Sequence, residues 1–131
     1  MTLKDSRLAE SVLAESELDR AVIDALRELP SPDGRGMVAC IAELFTQDSP
    51  ALLQQMQQSA QRNDWVAVAA AAHALKSYAG NVGALRFMAQ LRELELAAKA
   101  GEGTKCVALL ATVPEACSKV VAALSKEAVR P

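Results

Sequence analysis

Apolar residues recur every three or four positions along most of this 131-residue chain. That spacing lines one face of a helix, whereas a half-buried strand alternates apolar and polar residues, and no stretch here alternates in that way. The pattern predicts helices over 20–29, 36–48, 50–61, 65–80, 84–100 and 104–127.

Capping residues, glycines and prolines mark the ends of these helices. Asp19 and Asp64 stand where an N-cap is expected, and the run GNVG at 80–83 ends the helix over 65–80 because Gly and Asn tolerate positive φ. Pro50 follows Ser49, so the second helix either restarts or kinks there. Pro114 should bend or split the last helix.

Long amphipathic helices joined by short connections are typical of an antiparallel, up-and-down four-helix bundle. We therefore predict an all-α fold, with the helix over 20–29 as an additional short N-terminal helix. The composition agrees, since 51% of the residues are apolar and only 3% are aromatic. Residues 1–16 are polar and are interpreted as a tail or linker, which leaves 17–128 as one domain.

Charge and motifs exclude several classes of function. The net charge of −2 argues against nucleic-acid binding. We find no apolar run long enough to span a bilayer and no secretory signal, so a cytoplasmic location without direct membrane contact is expected. The three cysteines lack metal-type spacing and are interpreted as reduced thiols. Because glycine-rich phosphate loops and metal-binding motifs are missing, we predict neither a cofactor site nor a metal site in this chain.

The single histidine, His73, lies on the polar side of its helix. On a helical wheel it falls about 140° from the centre of the apolar stripe, which consists of Val68, Ala71, Ala72, Leu75, Ala79 and Val82. His73 should therefore face water. Its own face carries the small residues Ala69, Ala70, Ser77 and Gly80, and an open platform of small side chains around one histidine suits contact with another macromolecule.

An exposed, neutral imidazole is a potential nucleophile near pH 7. Lys76 and Ser77 follow His73 at i+3 and i+4, so they lie beside it on the helix. The ammonium could balance the charge of a phosphoryl group on the ring, and the hydroxyl could donate a hydrogen bond to that group. Considered one at a time, His73, Lys76 and Ser77 could each also be an ordinary solvent-exposed residue without a specific role.

The order of residues in HALKSYAGNVGALRFMAQLRELE, at 73–95, resembles the signature of histidine-containing phosphotransfer (HPt) domains. The places of that signature are filled by His73, Leu75, Lys76, Ser77, Val82, Gly83, Ala84, Leu94 and Glu95. The segments over 43–53 and 63–73 also look like this family, so the resemblance covers about residues 18–127. The family often has Gly where this chain has Ser77.

The resemblance implies a phosphorelay carrier that is not itself an enzyme. His73 would accept a phosphoryl group at Nε2 from a receiver-domain aspartyl phosphate and pass it to another receiver Asp. Lys76 would neutralise the phosphate, and Glu95 would hydrogen-bond the other ring nitrogen and fix the tautomer. Gly83 would form the tight turn between the two helices.

The implied partners are receiver domains of response regulators or of a hybrid sensor histidine kinase, and the receiver would supply Mg²⁺. The expected docking face consists of Ala69, Ala70, Ser77 and Gly80, with Arg86 or Phe87 beyond the turn. Lys76, Arg86 and Arg92 could attract an acidic receiver pocket. We expect a monomer that is either free-standing or the C-terminal module of a hybrid kinase.

Two other functions remain open from the sequence. The domain could bind a receiver or an enzyme without carrying phosphate, although an intact pair of His73 and Lys76 argues against a degenerate scaffold. An enzyme could use His73 as a general base, but that role needs a pocket with converging polar groups. The small residues Ala, Ser and Gly around His73 do not indicate such a pocket.

Overall fold

The computed structural model describes residues 17–129, and this part of the chain is helical without any strand. Its six helices, labelled α1 to α6, span Arg20–Arg27, Met37–Gln61, Trp65–Asn81, Leu85–Lys99, Gly103–Leu110 and Val113–Ala128. The all-α prediction is confirmed. The polar tail predicted over 1–16 lies outside the described residues.

Two aspartates begin helices as the sequence predicts. The Asp19 carboxylate accepts a hydrogen bond from the Ala21 backbone N–H at 3.0 Å, and the Asp64 carboxylate accepts one from Ala67 at 3.1 Å. Each bond satisfies one of the N–H groups that have no partner inside the first turn of a helix. The starts of α1 and α3 are therefore fixed by local chemistry.

The two prolines within the predicted helices have different effects. Pro50 lies inside α2, which continues from Met37 to Gln61 without restarting. Pro114 stands at the start of α6, where a missing N–H costs nothing because that group would have no helical partner. The chain leaves the helix at 111–112, so the predicted split of the last helix is confirmed.

The core is formed by one face of each long helix. The predicted stripe on α3 is buried in full, from Val68 to Val82. Phe45 of α2 and Phe87 of α4 meet edge to face, with ring centroids 6.5 Å apart. The suggestion that Phe87 belongs to an exposed docking face is therefore wrong, because its ring is buried between helices that a single-helix wheel does not include.

Helices α3 and α4 run antiparallel along their length. His73 lies opposite Glu95, and Gly80 lies opposite Met88. Later residues of α3 therefore face earlier residues of α4. α2 packs on the other side of α3, where the Tyr78 hydroxyl donates to Asp48 at 2.7 Å. α3 is thus covered on two sides, and α6 packs against both α2 and α4.

The short helix α1 is attached at both of its ends. The Asp19 N–H donates to the Gly83 carbonyl at 2.6 Å, in the turn between α3 and α4. Arg20 and Arg27 both bind the buried carboxylate of Glu127 near the end of α6. Gly83 has φ +75°, as a turn glycine would, and a Cβ there would lie 2.9 Å from Cβ of Val22. Gly83 thus lies in the turn between α3 and α4, and its lack of a side chain also lets α1 approach.

One described segment, Gly103–Ala128, is long and apolar enough to span a membrane by length and composition, which the sequence analysis did not find. It consists of α5 and α6. Its buried residues recur three or four apart: Cys106, Leu110, Val113, Cys117, Val120 and Leu124. Burial on one side against other helices is typical of a helix in a protein core.

Candidate functional site

His73 lies midway along α3 with 61% of its side chain exposed. The neighbouring Leu75 is fully buried, because residues two apart on a helix point in directions about 200° apart. The predicted exposure of His73 is confirmed. An imidazole in this position is accessible to a partner while its backbone is held by the packed helix.

A buried carboxylate on the neighbouring helix orients the imidazole. Nδ1 of His73 lies 3.0 Å from Oε2 of Glu95, a side chain that is only 6% exposed. A carboxylate can only accept, so the neutral ring carries its proton on Nδ1 and donates it to Glu95. Nε2 then keeps its lone pair. The hydrogen bond predicted between Glu95 and the histidine is present.

Two lysines share the Glu95 carboxylate with His73. Lys76 Nζ lies 2.7 Å from Oε1, and Lys99 Nζ lies 3.1 Å from Oε2. The hydrogen bond from Lys76, helped by those from Lys99 and His73, outweighs burial and lowers the pKa of Glu95 from 4.5 to about 2. The carboxylate is therefore ionised near neutral pH, as an acceptor for three donors must be.

Lys99 is the site residue that the sequence analysis missed. It follows Glu95 by four positions, the spacing at which a Glu and a Lys on one helix form an ion pair. That signal was present in the sequence but marks many ordinary surface pairs. Lys99 becomes notable only because α4 brings Glu95 against His73.

The Ser77 hydroxyl donates to the backbone carbonyl of His73 at 3.2 Å, one turn back along α3. Serine hydroxyls on helices commonly make this local bond. The side chain is exposed. Its predicted hydrogen bond to a phosphoryl group stays a prediction.

An open, mainly apolar groove of about 540 Å³ runs beside the imidazole between α3 and α4. Its lining consists of Val66, Ala69, Ala70, His73, Glu95, Ala98 and Lys99. Val66 is 82% exposed, a large value for an apolar side chain. The groove thus leads from His73 towards the start of α3.

The predicted docking face is partly corrected by this geometry. Ala70 is exposed and Ala69 also lines the groove, but the expectation that Ala69 is exposed is wrong. The reason is that α3 packs against two helices, so its buried arc is wider than the single predicted stripe. Gly80 faces Met88, whose sulfur would lie 3.2 Å from an added Cβ. Arg86 lines a different depression, with residues of α6.

Groups that could support other chemistry are not gathered around His73. Within 17–129, no three His, Cys, Asp or Glu side chains are placed to hold a metal ion. Cys106 and Cys117 are buried in the core, and burial raises the pKa of both thiols. Cys40 contacts Asp33 on the surface. The site therefore consists of one oriented imidazole, one carboxylate and two ammonium groups.

Comparison with known proteins places this arrangement in context. Residues 41–123 match the family described as the Hpt domain. The fold is similar to the crystal structure of histidine-containing phosphotransfer protein B (HptB) from Pseudomonas aeruginosa PAO1, with a TM-score of 0.78 and 25% sequence identity. The match covers 88% of this chain and 96% of that chain. A search of curated protein sequences found no significant match.

Proposed function

This chain belongs to the Hpt domain family and functions in histidine phosphotransfer in phosphorelay signalling, and from that premise we propose that His73 is its phosphoacceptor. The observation that carries the proposal is the exposed imidazole whose Nδ1 is bound to the buried Glu95. A carrier must present one reactive nitrogen and hold it still. A neutral histidine that donates from Nδ1 has only Nε2 left to attack.

The proposed transfer needs no proton movement within this chain. The Nε2 lone pair of His73 attacks phosphorus while the bond from phosphorus to the aspartyl oxygen breaks, and its electron pair stays on the receiver carboxylate. The ring keeps its Nδ1 proton, so the phosphorylated imidazole is cationic. Glu95 faces that cation directly and stabilises it as charge develops. The reverse transfer to a second receiver uses the same contacts.

We assign the remaining chemistry to the partner. The receiver would bring the Asp and a bound Mg²⁺, which neutralises charge on the transferring group. This chain would act as a carrier rather than an enzyme, with Lys76 contributing positive charge near the phosphate. We propose that the receiver docks on the groove beside His73, from Val66 to Ala98. An apolar patch bordered by a lysine suits a transient complex with an acidic partner.

We also propose a more detailed architecture and a cellular context for this chain. The antiparallel contacts of α3 and α4, with α2 and α6 packed around them, support an up-and-down four-helix bundle. α1 would be the additional N-terminal helix and α5 a short lead into α6. We further propose a cytoplasmic monomer that binds receiver domains of response regulators or a hybrid sensor kinase, without contact to nucleic acid or a membrane.

Phosphotransfer from a labelled receiver tests the proposal. A panel of receiver domains is phosphorylated with ³²P, mixed with this chain and Mg²⁺, and compared with the His73→Gln variant. We expect acid-labile, base-stable label on the wild type and none on the variant. His73 is the only histidine in the chain, so such label assigns the site.

Failure of the transfer would take a recognisable form. If no receiver transfers label while complexes still form, the chain is a scaffold that binds receivers without carrying phosphate. If the His73→Gln variant is labelled as well as the wild type, the phosphoacceptor is a different residue.

A further inference from the structure

Resting on the proposed function, we infer that Lys99 is a second phosphoryl-binding side chain, held on Glu95 until His73 is phosphorylated. Phosphorylation would draw its ammonium from the carboxylate to the phosphoryl oxygens. Lys76 would keep Glu95 neutralised and in place.

The geometry around one oxygen atom motivates this inference. Oε2 of Glu95 is contacted by Nδ1 of His73 at 3.0 Å and by Nζ of Lys99 at 3.1 Å. The ammonium and the imidazole thus share one oxygen atom, although they belong to different helices. Lys76 instead contacts the other oxygen, Oε1, at 2.7 Å.

The two lysines differ in how readily they can leave Glu95. The Lys76 side chain is 25% exposed and makes the shorter contact, whereas the Lys99 side chain is 63% exposed. Glu95 is buried, but the Lys99 ammonium is exposed, so water can replace much of the contact that Lys99 loses when it leaves the carboxylate. Once Lys99 leaves, Glu95 still has Lys76 and the Nδ1 proton of His73 as donors.

The phosphoryl group supplies the attraction. It carries up to two negative charges and three acceptor oxygens, against the single charge that Glu95 shares among three donors. Lys99 lines the groove beside His73, so its ammonium can turn towards Nε2 without passing through the core. A charge-assisted hydrogen bond there would stabilise the phosphohistidine against water.

The test uses a matched pair of lysines. Lys99→Met removes the ammonium, Lys99→Arg keeps a positive charge, and Lys119→Met is the control. Lys119 is also paired with a glutamate four positions earlier and is 60% exposed, but it lies on α6 away from the groove. Each full-length chain is phosphorylated with phosphoramidate, freed of the donor, and followed for loss of the phosphohistidine signal by ³¹P NMR.

We expect Lys99→Met to shorten the phosphohistidine lifetime about three- to tenfold, the effect of losing a solvent-weakened charged hydrogen bond. Lys99→Arg should restore most of the lifetime, and Lys119→Met should leave it unchanged. The ¹⁵N shifts of the unphosphorylated His73 ring should stay the same in Lys99→Met, which excludes an effect through a displaced Glu95. Equal lifetimes in wild type and Lys99→Met would overturn the inference while the function stands, whereas a wild type without phosphohistidine would overturn both.

Discussion

Nδ1 of His73 lies 3.0 Å from Oε2 of Glu95, although the two residues are 22 positions apart and on different helices. One partner is exposed and the other buried. The exposed partner can therefore react with another protein while the buried one fixes its orientation. This division also makes the contribution of each residue separable by experiment.

The low pKa of Glu95 predicts a specific dependence of stability on pH. Lys76 and the other donors lower this pKa from 4.5 to about 2. A carboxylate with a depressed pKa in the folded state stabilises the fold above its unfolded pKa, and that contribution is lost as pH falls towards the folded pKa. Glu95→Gln should therefore lower the free energy of unfolding at neutral pH, with a difference from wild type that shrinks between pH 4.5 and about 2.

Urea unfolding of both proteins at pH 7, 5, 4 and 3 measures this difference. The other acidic groups titrate equally in the two chains, so subtraction isolates Glu95. A difference that stays constant over this range would mean that the carboxylate is not held ionised by its neighbours.

Leu75 and His73 are close together on α3, but their different burial predicts very different effects of substitution on the free energy of unfolding. Leu75 is fully buried, and Leu75→Ala should lower the free energy of unfolding by about 2–5 kcal/mol through lost burial and a cavity. His73→Gln should change it by no more than about 0.5 kcal/mol, as is usual for an exposed site. Chemical denaturation monitored by circular dichroism compares them, and a large loss in His73→Gln would show that the imidazole supports the fold.

Comparing alanine substitutions at Gly83 and Gly101 distinguishes the cost of backbone strain from the cost of a steric clash. Both have positive φ, at +75° and +71°, but a Cβ at Gly83 would meet Val22 at 2.9 Å while one at Gly101 would meet nothing within 4 Å. Gly101→Ala should therefore cost only the strain, about 1 kcal/mol. Gly83→Ala should cost more, because α1 must move off the turn.

The double variant Gly83→Ala with Val22→Gly checks this explanation, since glycine at position 22 removes both the Cβ and the Cγ1 that the new Cβ would meet. We expect part of the cost to be recovered, which appears as a coupling between the two substitutions. Strictly additive costs would mean that the contact with Val22 is not the source of the extra cost at Gly83.

The helices could be predicted from the sequence because their signals are local. Apolar spacing located all of them, and Asp19 and Asp64 marked two starts through bonds that span two or three residues. Pro114 split the last helix for the same kind of reason. The effect of Pro50 was harder to predict, since it depends on whether the packing around α2 holds the helix together.

The parts that could not be predicted depend on which helices become neighbours. Ala69 shares the His73 face of a one-helix wheel and Phe87 lies just beyond the turn, and neither position reveals burial by a second or third helix. Lys99 was overlooked for a related reason, because its importance depends on α4 lying against His73. The pairing of His73 with Glu95 was expected from family resemblance, which carries long-range information that periodicity lacks.

The position of Val66 predicts where a receiver binds. Val66 lies at the start of α3, is 82% exposed and lines the groove beside His73. Val66→Asp would place a negative charge in an apolar interface and against an acidic partner pocket, so the dissociation constant should rise about tenfold or more. Val107→Asp is the matched control, because Val107 is also an exposed valine, at 58%, but lies on α5 outside the groove lining.

Binding of a receiver domain to each variant, measured by isothermal titration calorimetry, distinguishes docking from folding. Both valines are exposed, so neither substitution should change the melting temperature appreciably. Weaker binding confined to Val66→Asp would place the receiver on the groove that leads from His73 to the start of α3. Equal weakening by both variants would indicate a general charge effect, and weakening by Val107→Asp alone would move the docking surface to α5.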